Sequence, residues 1–505
     1  MRHSSTPFFS ALFPLLFGRP PCRELKNLQA RASGSDSISE LRKALGQFVP
    51  DALLGRHTQS GRDRLFTPLV TFWAFLSQVL SPQSACRDAV RKAQAWWSLG
   101  RRRPISSNTS AYCQARTRLS EKTLETIHRQ SAQRLEGNVP TDSLWLGRRV
   151  KIVDGTGCSM PDTAENQKAY PQPGSQKPGC GFPVMKLVGL FCLASGALLE
   201  VVRGTLLVHE SQLFRQLWPH LNPRDILLAD RGFCSFFSIH SLQARGVDSV
   251  MRLHQRRRVD FRRGKRLGKD DILLDWTKPA QRPEPLSAEE FKALPTTLTV
   301  RLIRLTPHIK GFRVRTIILV TTLLDPIAFP AQALGELYFQ RWSVELHFRE
   351  IKTLLRLDIL RCLTPQMVHK ELLLHLIAYN LIRCLMQQAA ICHHVDLSRI
   401  SFKGTLDTLH HFADAIRAAD AKPRQQAQLY SEMLRVIALD QLPIRPHRSE
   451  PRAKKRRPRN YHLLTKPRKS MPHYPKPQSS QNRLNLASFL TDPYGPFCRA
   501  RAAVR

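Results

Sequence analysis

Tyr338, Arg341, Glu345 and Lys352 follow one another at spacings of three, four and seven residues. On a continuous helix, at about 100° per residue, all four fall within one sector of about 60°. A single carboxylate bracketed by Arg and Lys on one face suits a phosphate together with a cation. The same spacing also suits an exposed i,i+4 ion pair between Arg341 and Glu345. Leu337, Val344, Phe348, Ile351 and Leu355 supply the apolar stripe of that helix. Two more acids, Asp154 and Asp230, each follow a short apolar run, Val150–Val153 and Ile226–Ala229. Asp-Gly and Asp-Arg-Gly are turn sequences in their own right, but a strand end is also where an α/β sheet places its reactive groups. Three carboxylates on three elements suffice to hold two divalent cations about 3.5–4 Å apart, as in-line phosphoryl transfer requires. Hard oxygen donors suit Mg²⁺. Without cations the three acids would repel one another and raise their pKa values.

The elements that must carry these residues can be read in outline. From Ser37 to Gly137 the chain reads as helical. Ser106, Ser107 and Asn108 offer caps for a helix reaching Leu119 that bears Arg116 and Arg118, and Ser120 caps the next. This helix–basic turn–helix array suits DNA-end reading, or equally an ordinary bundle with a solvated basic face. At Arg149 the pattern changes to strands. Val150–Val153 alternates with Arg149 and Lys151, Val184–Ala194 and Ala197–Val202 flank a Ser195-Gly196 turn, a helix covers Glu210–Leu217, and Ile226–Ala229 is a buried strand. Strand, hairpin, helix, strand opens a ribonuclease-H-like sheet, an order that several α/β folds share. Beyond it lies a β-rich insertion whose segment 252–269 holds nine Lys and Arg against one acid. Helices return from Phe329 to about Val395, with a break at Pro365, and again over 405–439.

The composition fixes a class of partner. The 505 residues carry 78 Lys and Arg against 39 Asp and Glu, a formal net charge of +39. Such a charge favours polyanions through counterion release and steering. With 42% hydrophobic residues there is ample material for a core. Eleven widely spaced cysteines without a C-x-x-C pattern argue against a disulfide framework or a zinc ribbon and fit a reduced compartment. Cys392-His393-His394 has no second ligand pair at zinc-like spacing. The runs 65–80 and 372–386 are too short and too polar to span a membrane. The apolar stretch Phe8–Phe17 is broken by Pro14 and lacks a convincing cleavage site, so export is not expected.

Three blocks carry a family resemblance: Ile152-Val153-Asp154-Gly155-Thr156, Leu228-Ala229-Asp230-Arg231-Gly232-Phe233, and Tyr338-Phe339-Gln340-Arg341-Trp342-Ser343-Val344-Glu345 through Lys352. With Tyr379-Asn380-Leu381-Ile382-Arg383 further on, the chain resembles bacterial insertion-sequence transposases of the DDE type, in the subgroup with a Y-R-E-K signature. The resemblance covers about residues 60–470. It implies an α/β fold: a ribonuclease-H-like catalytic core interrupted by a β-rich insertion, with helical N-terminal and C-terminal regions. The expected divisions are 1–36 irregular, 37–145 a helical DNA-binding domain, 146–235 the first part of the core, and 236–328 the insertion. Residues 329–395 would complete the core, 396–442 form a helical region, and 443–505 form a basic tail disordered at its end.

The resemblance also implies a chemistry: metal-dependent cleavage at transposon ends and strand transfer into target DNA. Asp154, Asp230 and Glu345 would be the catalytic metal ligands, holding two Mg²⁺ ions that Mn²⁺ can replace. Arg341 and Lys352 would grip phosphates, Tyr338 would donate to a terminal phosphate, and Trp276 would stack on a flipped base or else pack in the insertion core. Arg116 and Arg118 are the DNA-binding candidates of the helical region. The expected partners are inverted-repeat ends, target DNA and a second copy in a synaptic homodimer, with no membrane, in the bacterial cytoplasm on the nucleoid. The alternatives are a ribonuclease-H-like nuclease without strand transfer and a catalytically decayed DNA-binding relic or repressor.

Overall fold

The computed structural model describes residues 41–443, except 43, 56–64, 82–84, 100–105, 256, 284–285, 307–315 and 420–421, together with 466, 467 and 470. The N-terminal segment 1–36 and nearly all of the basic tail lie outside the described residues. One compact unit comprises residues 1–173 and 182–457, and a second comprises 174–181 and 458–505.

In the larger unit, after short helical turns at Gly46–Phe48 and Asp51–Gly55, come helices α1 (Pro68–Leu80), α2 (Cys86–Leu99), α3 (Ser110–Arg118) and α4 (Glu121–Gly137). Helix α1 starts where Thr67 Oγ1 accepts from Val70 N and Pro68 takes a position that needs no hydrogen-bond donor. Thr71 through Leu80 are all buried, so the apolar run 65–80 is a core helix. Asn108 Oδ1 accepts from Ser110 N at the start of α3, and Ser120 Oγ accepts from Thr123 N at the start of α4.

The sheet follows: β1 (Val150–Ser159), β2 (Val184–Cys192), β3 (Leu198–Thr205), then α5 (Glu210–Leu217), β4 (Ile226–Ala229), α6 (Phe236–Gln243) and β5 (Asp248–Arg252). The insertion supplies β6 (Lys265–Gly268), β7 (Asp271–Thr277), β8 (Thr297–Leu305) and β9 (Ile317–Thr321). All nine strands form one sheet in the order β3-β2-β1-β4-β5-β9-β8-β7-β6. β1, β4 and β5 are parallel neighbours, while every other pairing is antiparallel. Strands β6 to β9 thus extend the sheet edge-on beyond β5. β1 does not end at Val153: it runs six residues further, paired with β2 and, at Ser159, bridged to Ile359.

Helices α7 (Ala331–Gln340) and α8 (Ser343–Arg349), a π turn over Glu350–Leu354, and α9 (Pro365–His393) follow, then α10 (Phe402–Ala418) and α11 (Pro423–Leu439). α9 begins at a Thr364 cap with Pro365 next. Most of its length is buried because α1, α4, α10 and α11 all pack on it. The N-terminal helices and the sheet thus share one hydrophobic core through α9. Among the described residues no helix is long and apolar enough to cross a membrane.

Candidate active site at the ends of β1, β4 and β5

The last parallel pair between β1 and β4 is Val153 with Ala229, and the last between β4 and β5 is Ala229 with Met251. The next residue on each strand is Asp154, Asp230 and Arg252. Parallel neighbours in register point their side chains to the same face, with strands about 4.8 Å apart. Two carboxylates and a guanidinium therefore stand in a row where the parallel ladder stops. Asp154 sits where β1 loses its β4 neighbour and continues with β2 on its other side.

Asp154 is the best-defined member. Its Oδ1 accepts from Gly155 N at 2.8 Å, and its Oδ2 lies 3.5 Å from Arg341 Nη1. Burial raises its pKa, and the charges of Asp230 and Glu345 push it the same way, against the Gly155 N–H and Arg341. Both other acids thus act electrostatically on Asp154. Glu345 faces solvent on α8, one turn past Arg341. Among the described residues, no three His, Cys, Asp or Glu side chains stand together closely enough to hold a metal ion. The acids form an electrostatic cluster without a closed cage, as expected where like charges face one another and Arg341 occupies one carboxylate.

Arg341 is only 6% exposed, and its Nε is buried with no hydrogen-bond partner. Its guanidinium lies 5.8 Å from the Tyr338 ring centroid. Tyr338 is 2% exposed, and burial, reinforced by Asp230 and opposed by Arg341 and Arg252, pushes its phenol up to about 12. Lys352 Nζ donates to Thr156 Oγ1 at 3.1 Å and to Gly157 O at 2.8 Å, tacking the π turn onto the extended part of β1.

The four-residue face expected of one continuous helix is divided. The helix breaks at Arg341–Trp342 and widens into the π turn, so Tyr338 and Arg341 are buried, Lys352 reaches β1, and Glu345 stays outside. The predicted apolar stripe holds: Leu337, Val344, Ile351 and Leu355 are buried, and Phe348 packs on the core. Gly189, paired with Asp154 across the ladder, lets α8 come down here: a Cβ on it would lie 3.4 Å from Phe348 Cζ and 3.0 Å from Phe191.

Tyr379, Asn380 and Arg383 of α9 clamp the β2–β3 turn. Tyr379 Oη donates to Gly196 O at 2.7 Å, Asn380 pairs with both backbone groups of Leu198, and Arg383 donates twice to Ser195 O. Their work is to seat the hairpin, and with it β2 and β1.

Away from the acid cluster, two further DNA-binding candidates, Arg116 and Trp276, are buried. Arg116 is 8% exposed, its guanidinium packed over the Phe75 and Tyr112 rings at 4.9 and 5.1 Å. Arg118, two residues on, is exposed at the end of α3. Trp276 is 5% exposed on β7, with the Arg257 guanidinium 4.3 Å above its ring. It is packed in the core of this region, the second of the two placements the sequence allowed. Trp276→Ala should accordingly cost about 3–5 kcal/mol of stability, whereas Trp276→Phe should leave DNA cleavage unchanged; a cleavage defect in a normally stable Phe variant would restore the stacking role. Arg252 is the residue that sequence reasoning passed over, because only the register between β4 and β5 sets it beside Asp230.

Residues 145–381, which span all three acids and the insertion, match the family model described as the transposase DDE domain. The chain carries a DDE transposase domain. It is 27% identical over 445 residues to the transposase InsG for insertion sequence element IS4 of Escherichia coli K12, an alignment covering 86% of this chain and 96% of the relative. A probable transposase for insertion sequence element IS5377 of Geobacillus stearothermophilus is 29% identical, over 40% of this chain and half of its own length. The solved synaptic complex of piggyBac transposase with hairpin DNA aligns with 79% of this chain and 82% of its own at 10% identity and a TM-score of 0.39, a likeness too slight to bear on the chemistry. A DDE transposase is a divalent-metal-dependent enzyme acting on DNA, and the charge of +39 suits that partner.

Proposed function

We propose that this enzyme carries out cut-and-paste transposition of an insertion sequence, cleaving the inverted-repeat ends and joining them to target DNA. Asp154, Asp230 and Glu345 are its metal ligands, and two Mg²⁺ ions, replaceable by Mn²⁺, are the cofactor. The observation that carries this reading is the half-buried Asp154 at the end of the parallel ladder, one strand over from Asp230 and 3.5 Å from Arg341, which leads into the helix of Glu345. The donor set fits: three hard carboxylates that repel one another gain from a shared cation. When bound, the ions supply charge stabilisation at the attacking and leaving oxygens of the phosphodiester. The chain's own groups do the rest. Arg252 and Arg341 neutralise phosphate oxygens beside Asp230 and Asp154, and Lys352 fixes β1 and the π turn in one register. Tyr338 shields Arg341 from water, and its phenol stays protonated as a donor. The sheet order, with β1, β4 and β5 parallel and β2 and β3 antiparallel, supports a ribonuclease-H-like core. Arg118 contacts end DNA, the working form is a homodimer, and the site of action is the nucleoid.

The test is a reaction with duplexes bearing the element's own terminal repeats, a target plasmid and Mg²⁺. End cleavage followed by joining is expected. Cleavage without joining would favour the nuclease reading, and binding without cleavage the relic. Glu345→Ala should bind ends normally and cut nothing, and persistent cutting would refute the site.

The raised pKa of Asp154 gives a second check. An acid whose folded pKa lies above its unfolded value stabilises the fold below the unfolded pKa. That contribution is lost as pH rises through the folded pKa, leaving an ionised carboxylate at a cost. A cation that binds only the folded site offsets this, by about 2.7 kcal/mol at a hundred times its Kd. Mg²⁺ should therefore raise Tm at about pH 7.5 more than at about pH 5, and Asp154→Asn should shrink that rise. An equal rise in the variant would place the cation elsewhere.

A further inference from the structure

We propose that Arg301, on β8, is a positioning residue that sets α7, and with it Tyr338 and the Arg341 and Glu345 that follow, over the sheet. The inference rests on the reading of those residues given above. Arg301 is fully buried, and its guanidinium divides between two duties. Nε and Nη2 donate to the Asp271 carboxylate at 2.9 and 2.5 Å. Nη1 faces three backbone carbonyls, those of Leu323, Asp325 and Phe329, at 3.4, 3.2 and 2.7 Å.

Those carbonyls belong to the turn that leads straight into α7. Asp325 shapes the turn by accepting from Ile327 N and Ala328 N, and Phe329 at its end stacks on Trp145. Pro330 then opens α7, whose last turn holds Tyr338, with Arg341 and Glu345 next in line. A second brace acts on the same helix: Gly335 lies against Leu305 of β8, where a Cβ would stand 3.1 Å from Leu305 Cδ1. Only a planar fork can hold a carboxylate on one edge while collecting several carbonyls on the other. Lysine offers one charged point and cannot do both.

Asp271 gives the joint its direction. It opens β7 immediately after the β6–β7 turn, paired with Gly268 of the edge strand β6, which also carries the exposed Lys265 and Arg266. A shift at that hairpin therefore reaches α7 through Asp271 and Arg301. The insertion acts on cleavage through this joint, without touching the acids.

The experiment compares Arg301→Lys, and the volume-matched pair Arg301→Met with Asp271→Leu, against the wild-type chain. Each is measured for affinity to a duplex carrying the element's terminal repeat, single-turnover cleavage in Mg²⁺, and thermal melting. In whichever variant folds, end affinity should stay within about twofold while the cleavage rate falls about tenfold or more, a loss confined to the reacting complex. A folded variant that cleaves at the wild-type rate overturns the proposal. So does a cleavage loss matched by an equal loss of affinity, or failure of both variants to fold, since either assigns Arg301 to stability alone. Glu345→Ala runs alongside: if it cuts, the active-site reading fails, whatever Arg301 does.

Discussion

Asp154→Asn is expected to lower end cleavage by about 10³-fold or more, the loss of roughly 4 kcal/mol of transition-state stabilisation. End binding should be unchanged. The substitution is nearly isosteric, and its Oδ1 can still accept from Gly155 N. What it removes is a charge whose folded pKa is raised by burial and by two neighbouring acids. Without cations, stability should therefore stay level or rise slightly, even as activity collapses. That opposite movement is the signature of a residue strained for function. A stability loss of about 2 kcal/mol with matching inactivation would instead mark Asp154 as a structural partner of Arg341. Single-turnover cleavage and a denaturant melt of the same preparation separate the two.

The sequence made some of this site legible, and the boundary is physical. Asp154 and Asp230 could be found because β4 is a fully buried four-residue run and β1 begins as one. The end of β1 could not, because past Val153 it loses its β4 partner and its burial pattern loosens. Arg252 was hidden inside a basic run most of whose described members are exposed, since register between distant strands leaves no local mark. Spacing placed Tyr338, Arg341, Glu345 and Lys352 on one face only by assuming a continuous helix. A two-residue break and a π turn, neither announced by Pro or Gly, redistribute them. Arg116 and Arg118 look alike in sequence. The helix turns one onto Phe75 and Tyr112 and the other to solvent.

Lys151 shows the same limit with a larger consequence, for its alternation with Val150 and Ile152 reads as an outward-facing strand position. β1 is the middle of a sheet covered on both faces, where alternation no longer sorts inside from outside. Lys151 is 1% exposed and lies 2.9 Å from Asp225 and 3.5 Å from Glu136, with Nζ also donating to His220 O at 3.0 Å. Asp225 immediately precedes β4, so this pair locks the entry of β1 to the entry of β4, three to five residues before Asp154 and Asp230 leave the far end. Lys151→Met should leave Asp225 buried without its cation, destabilising the chain by about 3–5 kcal/mol. Adding Asp225→Asn in that background should recover part of the loss, because the amide keeps an acceptor for Asn222 N and discards the stranded charge. Chemical denaturation of the three proteins measures both effects. If Lys151→Met melts within about 0.5 kcal/mol of the wild type, Lys151 is not buried against Asp225. The β1–β4 register would then be wrong, and with it the adjacency of the two aspartates on which the chemistry depends.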